Sequence, residues 1–452
     1  MIYRAVYMYS YFDFPRTKTS QTSKITLSLT ASSSNGGPLQ GKILAAIMPE
    51  RTYKNMGYRN ATGFLIPCCD EAGVKAAKCE PNKFVIPEKY MSNVKLEEID
   101  LSRTNTVDLS SVIVNSGMYY VVAAVCDPSI TPNTRLSGMM TAENVYGHLP
   151  ATQYYSLPFF GWMSLAYLFT LVVWVMLCIQ YSKEIMSVHL MILVVLISFV
   201  INSLVRVLYL WIYNSSGNDV FIYLSLFVDA VTRTLTRVLT LLVCMGLGIS
   251  RATVSDVTVR VVIFAVVYFA VSLWDSLLAV RSDVPEMLNH VRVYVTAGLD
   301  ALVYFWVFQS LMNTMDELRQ NKQHAKLAVF VRLYSLLLVS VVVSTVTLIV
   351  FSYLVNNEDI PNTWRFQWFM NEGVWSLYYF LLFLCLMYMW RPTENSAAYA
   401  HHSELATDIQ DEEEEYGLPQ NKLETGEEGE VVVNPTTTDL KPMNITEGSA
   451  QA

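Results

Sequence analysis

Between residues 157 and 390, apolar stretches long enough to cross a hydrocarbon core recur at short intervals, separated by short polar joints. They predict seven membrane-spanning helices at about 159–179, 185–213, 220–249, 257–280, 291–315, 327–355 and 364–390. No proline falls inside any of them: Pro158 stands at the first entry, Pro285 and Pro361 in joints, and Pro392 just past the last exit.

The pattern changes on both sides of this region. Residues 1–135 alternate short β-branched or aromatic runs with Gly, Pro, Ser and Asn breakers, and KITLSLT, GKILAAIM and GMYYVVAAVC read as strands of a small antiparallel β-sandwich. Residues 136–157 then form a linker, 158–390 the seven-helix bundle and 391–452 a polar tail. The fold class is a membrane α-helical bundle with an N-terminal β-sandwich and a disordered C-terminal tail. The opening MIYRAVYMYSYFDF contains Arg4 and Asp13, lacks the apolar core of a signal peptide and reads as a strand. The expectation is that the natural start lies upstream.

Composition sharpens this division. The chain is 53% hydrophobic and 15% charged, too apolar for a soluble protein of its length. Its net charge of −8 belongs to the tail, where DEEEE at 411–415 and TGEEGE stand out; a solvated tail and one that engages trafficking machinery both fit. No basic patch interleaved with aromatics is present, so nucleic acid is not an expected partner. If the front domain is outside, the inner joints carry Lys183, Arg251, Arg260, Arg319, Lys322, Lys326 and Arg391, against Arg281, Arg292 and Arg365 outside. The bias predicts a lumenal front domain and a cytosolic tail.

Four of the seven cysteines, Cys68, Cys69, Cys79 and Cys126, precede the first helix. They are disulfide candidates with three possible connectivities, in which adjacent Cys68 and Cys69 are expected to pair elsewhere than with each other. Reduced, buried thiols are the alternative. Asn60 begins an Asn-Ala-Thr glycosylation sequon, and Asn214 an Asn-Ser-Ser sequon close to the membrane.

Charges within the apolar helices call for an explanation, because an unpaired charge in hydrocarbon is costly. The third helix carries Asp229, Arg233 and Arg237, spaced by four and therefore on one face. Arg206, Asp275, Asp300 and Glu372 lie in the second, fourth, fifth and seventh helices. Counting from helix ends places Arg206, Asp229, Asp275, Asp300 and Glu372 in the outer half of the membrane. Four carboxylates against Arg206 and Arg233 make that layer net acidic, suited to cations or a zwitterionic headgroup and sensitive to pH. Structural salt bridges, Asp229 with Arg233 first among them, are the competing reading. No HExxH or GxSxG motif occurs, and His189 is the one histidine well inside a helix, so neither a metal site nor catalysis is expected.

Several strings resemble one family: VTRTLTRVLTLLVCMGLGISR in the third helix, SLMNTMDELR closing the fifth, WRFQWFMNEGVWS entering the seventh, MYMWRPTENSAAYA leaving it, and NVYGHLPATQYYSLPFFG ahead of the first. With GMYYVVAAVC as a final sandwich strand, they resemble the GOLD-domain seven-transmembrane proteins, also called lung seven-transmembrane receptors. The MGLGIS and WRP-to-YA segments are most similar to the transmembrane protein 87 branch.

The resemblance implies a GOLD-like sandwich and residence in Golgi and endosomal membranes. It also implies roles in the trafficking of membrane cargo proteins, and a bundle cavity open toward membrane lipid. It further implies that Asp275 and Glu372 match acidic positions implicated in pH-responsive cation conduction. The leading expectation is therefore a non-enzymatic trafficking protein whose cavity holds a phospholipid or lipid-modified cargo, with no other cofactor. A pH-sensitive cation channel is the alternative. A G-protein-coupled-type receptor is a third reading, but the chain lacks an Asp-Arg-Tyr end on the third helix and an Asn-Pro-x-x-Tyr motif on the seventh.

Overall fold

The computed structural model describes residues 2–10, 12–13, 22–33, 40–59, 65–70, 73–75, 79–130, 134–247, 255–281, 285–356 and 363–394. Asn60 and most of the acidic tail lie outside the described residues.

Among the described residues the front domain contains nine strands: β1 (Ile2–Met8), β2 (Lys24–Ser33), β3 (Lys42–Pro49), β4 (Tyr58–Arg59), β5 (Leu65–Ile66), β6 (Lys95–Asp100), β7 (Thr106–Val112), β8 (Gly117–Ala124) and β9 (Thr134–Glu143). They form an antiparallel sheet of order β1-β8-β3-β6, a second of order β7-β2-β9, and a small β4-β5 ladder. The expected sandwich is present. It runs past residue 135, because β9 pairs along the whole of β2, from Lys24 opposite Glu143 to Ser33 opposite Thr134.

Strand patterning explains the layers. In β2, Ile25 and Leu27 point inward and the intervening polar side chains outward, the period of a sheet with one solvated face. GKILAAIM does not alternate because β3 is buried on both sides. Its Ile43, Ala45 and Ile47 fill the space between the sheets, while Leu44, Ala46 and Met48 join Met56, Phe84, Val122 and Ala124 in a second core.

Two disulfides, Cys68–Cys126 and Cys69–Cys79, bind the segment that covers this second core, with Cα separations of 5.4 and 6.0 Å. These pairings choose one of the three open connectivities and keep the adjacent cysteines apart.

Seven long helices follow among the described residues: α1 (Ser156–Gln180), α2 (Ser187–Ser216), α3 (Phe221–Cys244), α4 (Ser255–Val280), α5 (Glu286–Gln320), α6 (His324–Asn356) and α7 (Val374–Met389). Six are long and apolar enough to span a membrane on composition alone; α3 falls short of that criterion because it carries Asp229, Arg233 and Arg237. The fifth helix is longer than its apolar stretch, since nothing interrupts backbone hydrogen bonding between Pro285 and Asn321. The seventh departs more: residues Thr363–Phe366 form a 3₁₀ turn and Phe369–Gly373 a π-helical turn before regular α-helix begins. Apolar content predicts a span and is blind to helix winding.

The core of the bundle lies in its half remote from the sandwich, where Trp174, Val188, Ile192, Leu241, Leu311 and Phe330 are all nearly inaccessible. The half nearer the sandwich is looser. On α5 no described residue before Val303 is buried, and on α6 none after Ser340.

A polar clamp joins sandwich to bundle. Asn144 accepts a hydrogen bond from the Tyr9 amide at 3.0 Å and donates to the Leu149 carbonyl at 2.8 Å. Asn214, at the end of α2, donates to the Tyr146 carbonyl at 2.8 Å and accepts from the Leu149 amide at 3.3 Å. Gly147, at a φ of +133°, is required here: a Cβ would lie 2.2 Å from the Asn214 carbonyl oxygen.

Both atoms of the Asn214 amide are thus engaged in hydrogen bonds of the fold, and its sequon is expected to carry no glycan. Asn214→Gln is expected to leave electrophoretic mobility unchanged while lowering thermal stability by about 1–3 kcal/mol, the cost of stranding buried hydrogen-bonding groups; a deglycosylation assay and a melting curve check both.

Burial of Tyr9 at the same junction pushes its phenol up to about 12, with Tyr155 adding to the effect, and burial also raises Tyr146. A raised phenol contributes stability that is complete below its ordinary value of 10 and is lost as pH climbs through the folded value. Melting temperatures should therefore fall between about pH 10 and 12, and fall less steeply in Tyr9→Phe.

Candidate functional site

Each charged residue singled out within the helices is positioned by a regular helix face, apart from Glu372 on the π-helical turn ahead of α7, and every carboxylate among them has an arginine partner. On α3 the four-residue spacing brings Arg233 onto Asp229: its Nε donates at 2.8 Å, and a second nitrogen both contacts the same carboxylate and reaches Ser276 Oγ on α4 at 3.1 Å. Asn202 on α2 donates to the other Asp229 oxygen at 3.1 Å. This is the pair the sequence pointed to first.

The remaining three pairs cross between helices. Arg206 on α2 contacts Glu372 on the wide turn ahead of α7 at 2.5 Å and lies over the Phe160 ring at 5.4 Å. Arg292 on α5 contacts Asp275 on α4 at 3.0 Å, with its other donors on Asn289. Arg237 on α3 reaches Asp300 on α5 at 3.3 Å inside a tyrosine box, where Tyr268 donates to Asp300 at 3.0 Å and Arg237 donates to Tyr304 at 3.1 Å.

The expected net acidity is corrected by these contacts. Asp229, Asp275, Asp300 and Glu372 face Arg233, Arg292, Arg237 and Arg206, so the described ion pairs balance in charge. Arg237 and Arg292, which the sequence count of that layer does not include, supply the missing positive charges. A guanidinium on a long aliphatic stem reaches a carboxylate more than a helical turn away.

The charges also sit at different distances along their helices. Asp300 lies 14 residues into α5, counted from Glu286, or about 21 Å at 1.5 Å per residue. Asp275 is five residues from the end of α4 at Val280, or about 8 Å. The pairs descend into the bundle in steps, and only the Arg237–Asp300 pair sits near its middle.

That central pair borders a narrow cleft between α3, α5 and α6, lined by Arg237, Thr240, Tyr304 and Ser340 together with valines, Leu337 and Phe308. Its volume is about 20 Å³, room for a water or two. Above it, toward the sandwich, α5 has no buried described residue before Val303 and α6 none after Ser340. His189, by contrast, is a helix-capping residue: its Nδ1 accepts from the Met186 amide at 3.1 Å, and Trp174 donates to its carbonyl at 3.3 Å.

Sequence reasoning passed over the tyrosines Tyr268 and Tyr304, and the strap Trp364–Arg365, which touches the sandwich. Their signal was available only as an excess of aromatics near charges, a pattern that ordinary packing also produces.

A β-sandwich joined to seven membrane-length helices, with charges paired across the bundle, defines a multi-pass membrane protein with an extramembrane domain. Residues 155–397, more than half of the chain, match the model of the GOST seven-transmembrane domain, and the chain belongs to that family.

Its relatives include transmembrane protein 87A of Xenopus tropicalis, 23% identical over 364 residues covering 77% of this chain and 66% of the relative. Transmembrane protein 87B of Mus musculus is 22% identical over 72% of this chain and 59% of its own length. Membrane protein PTM1 of Saccharomyces cerevisiae is 21% identical over 81% of this chain and 74% of its own length. The chain thus spans less than two thirds of the length of the two vertebrate relatives. The family expectation holds, and the transmembrane protein 87 branch is represented among the matches.

In this geometry the loss of the Arg237–Asp300 pair should be felt beyond the pair itself, since Tyr268 and Tyr304 are hydrogen-bonded to it. Asp300→Asn is expected to destabilise the protein by about 1–3 kcal/mol, and a further Arg237→Gln to restore part of that loss. A double-mutant cycle on detergent-solubilised protein gives the coupling, and additive single effects would show that the pair contributes nothing.

Proposed function

We propose that this protein is a non-enzymatic carrier or receptor in Golgi and endosomal membrane trafficking, with its sandwich in the lumen and its acidic tail in the cytosol. The sandwich engages membrane cargo, the tail engages trafficking machinery, and the bundle holds a phospholipid or the lipid of a modified cargo. The observation that supports this reading is the absence of buried described side chains on the sandwich-side halves of α5 and α6, next to the cleft and the polar groups around Arg237 and Asp300. Acyl chains match the valines of α6, among them Val339, Val342 and Val346, each more than half exposed. A headgroup with both charges matches a wall of paired arginines and carboxylates.

The cleft itself is too tight for a headgroup as it stands, so binding requires α5 and α6 to part. Few buried contacts oppose that motion on the sandwich side. The charge balance favours this reading over a standing cation pathway, because each acid that would line such a path is already held by an arginine. Glycosylation at Asn60 belongs to the same lumenal assignment.

Native mass spectrometry of the protein in nanodiscs is expected to retain one phospholipid per chain, and Val341→Trp, which fills the mouth of the cleft, to release it. Deletion of the protein is expected to slow delivery of surface membrane proteins. No retained lipid together with normal cargo kinetics would overturn the proposal. A cation flux in liposomes that falls in Asp275→Asn with Glu372→Gln would replace it with the channel reading.

A further inference from the structure

The wide turn at Phe369–Gly373 stands between two anchors of different kinds. On its N-terminal side the sandwich grips the chain through β1 and the residues after it: Trp364 stacks on Tyr7 with ring centroids 5.3 Å apart and touches Tyr9 at 5.2 Å. Arg365 lies over the Tyr9 ring at 5.6 Å and reaches Asp13 at 3.6 Å. On its C-terminal side α7 is fixed by Phe383, Met387 and Trp390, all buried in the bundle core. Between these anchors, from Val374 to Leu382, no described residue is buried. Glu372, the partner of Arg206, sits on the wide turn itself.

A π-helical turn holds one residue more than an α-helical turn, so it can pass along a helix by one position without breaking the chain on either side. Each residue it passes rotates by about 100° and shifts by about 1.5 Å. A rotation of that size carries the Glu372 carboxylate off Arg206. The local packing is also compatible with a second arrangement. Gly373 is buried, and a Cβ there would lie 2.5 Å from the Phe369 ring, so the present turn depends on glycine. Three donors along the same path, Trp368 Nε1, Arg365 Nε and Arg206 Nε, are buried with no partner in the present arrangement of the described residues. Each is unfavourable as it stands, and carbonyls freed by a shifted turn are acceptors for such groups.

We infer that the wide turn is a movable element through which the position of the sandwich sets whether Glu372 is paired with Arg206 or released into the bundle. Occupation of the sandwich that moves β1 pulls on Trp364 and Arg365, shifts the turn, and opens the pair that joins α2 to α7. The inference does not depend on which ligand the bundle holds. Linkage requires the coupling to run both ways: a change at Glu372 must be felt at β1.

Hydrogen exchange measured by mass spectrometry on the full chain in nanodiscs tests both directions. Asp13→Asn with Trp364→Ala is expected to speed exchange of the amides of residues 366–373 by about tenfold, with residues 383–389 unchanged. Glu372→Gln is expected to speed exchange in β1 by a similar factor. Unchanged exchange at 366–373 in the first variant, unchanged exchange in β1 in the second, or uniform acceleration along α7 would each overturn the inference. Should the first variant fail to fold, Arg365→Lys keeps the charge toward Asp13 and removes only the flat contact with the aromatic rings. It is held to the same expected and overturning results.

Discussion

A charge inside a lipid-embedded bundle must find an opposite charge, and in this protein that requirement organises the helices. Arg206 with Glu372, Arg292 with Asp275 and Arg237 with Asp300 tie α2 to the entry of α7, α5 to α4 and α3 to α5. Asp229 with Arg233 lies within α3, and Arg233 extends it to Ser276 on α4. Where apolar packing is sparse, on the side of the bundle near the sandwich, these pairs supply directional contacts between helices. The hydrophobic effect cannot do this within lipid, where side chain and solvent are equally apolar.

The consequence is a bundle of two textures. The half remote from the sandwich is packed around Trp174, Ile192, Leu311 and Phe330. The nearer half is held by ion pairs, by the clamp of Asn144, Gly147 and Asn214, and by a smaller apolar cluster of Leu149, Phe160, Tyr209 and Leu210. The sandwich-side halves of α5 and α6 carry no buried described residue. A region with few buried contacts opens at low free-energy cost, which is what a lipid-accepting cleft and a movable turn on α7 both need. The sandwich is tied to this looser half through β1, the linker and the start of α7.

Legibility from sequence followed how local each cause is. The seven spans, the strands of KITLSLT and GMYYVVAAVC, and the Asp229–Arg233 pair arise from periodicity or spacing within one element, and each is present in the structure. β9 was cut short because its polar, Gly-containing TRLSGMMTAE has little strand character of its own and is held by pairing with β2. The wide turn at Phe369–Gly373 was unreadable, since an extra residue in a helical turn leaves hydropathy unchanged. The acidity of the charged layer was overcounted for a related reason: Arg237 and Arg292 reach their acids through side-chain length, which position along a helix does not record.

By itself the sequence determined the membrane class, the order of sandwich, bundle and tail, and the identity of the charged residues, because transfer free energy and backbone periodicity act residue by residue. Only the tertiary structure decided which cysteines pair, which arginine meets which carboxylate, that Asn214 is consumed by the fold, and where the bundle stays open. Those outcomes depend on distances between segments remote in the chain, and such distances exist only once the whole chain has packed.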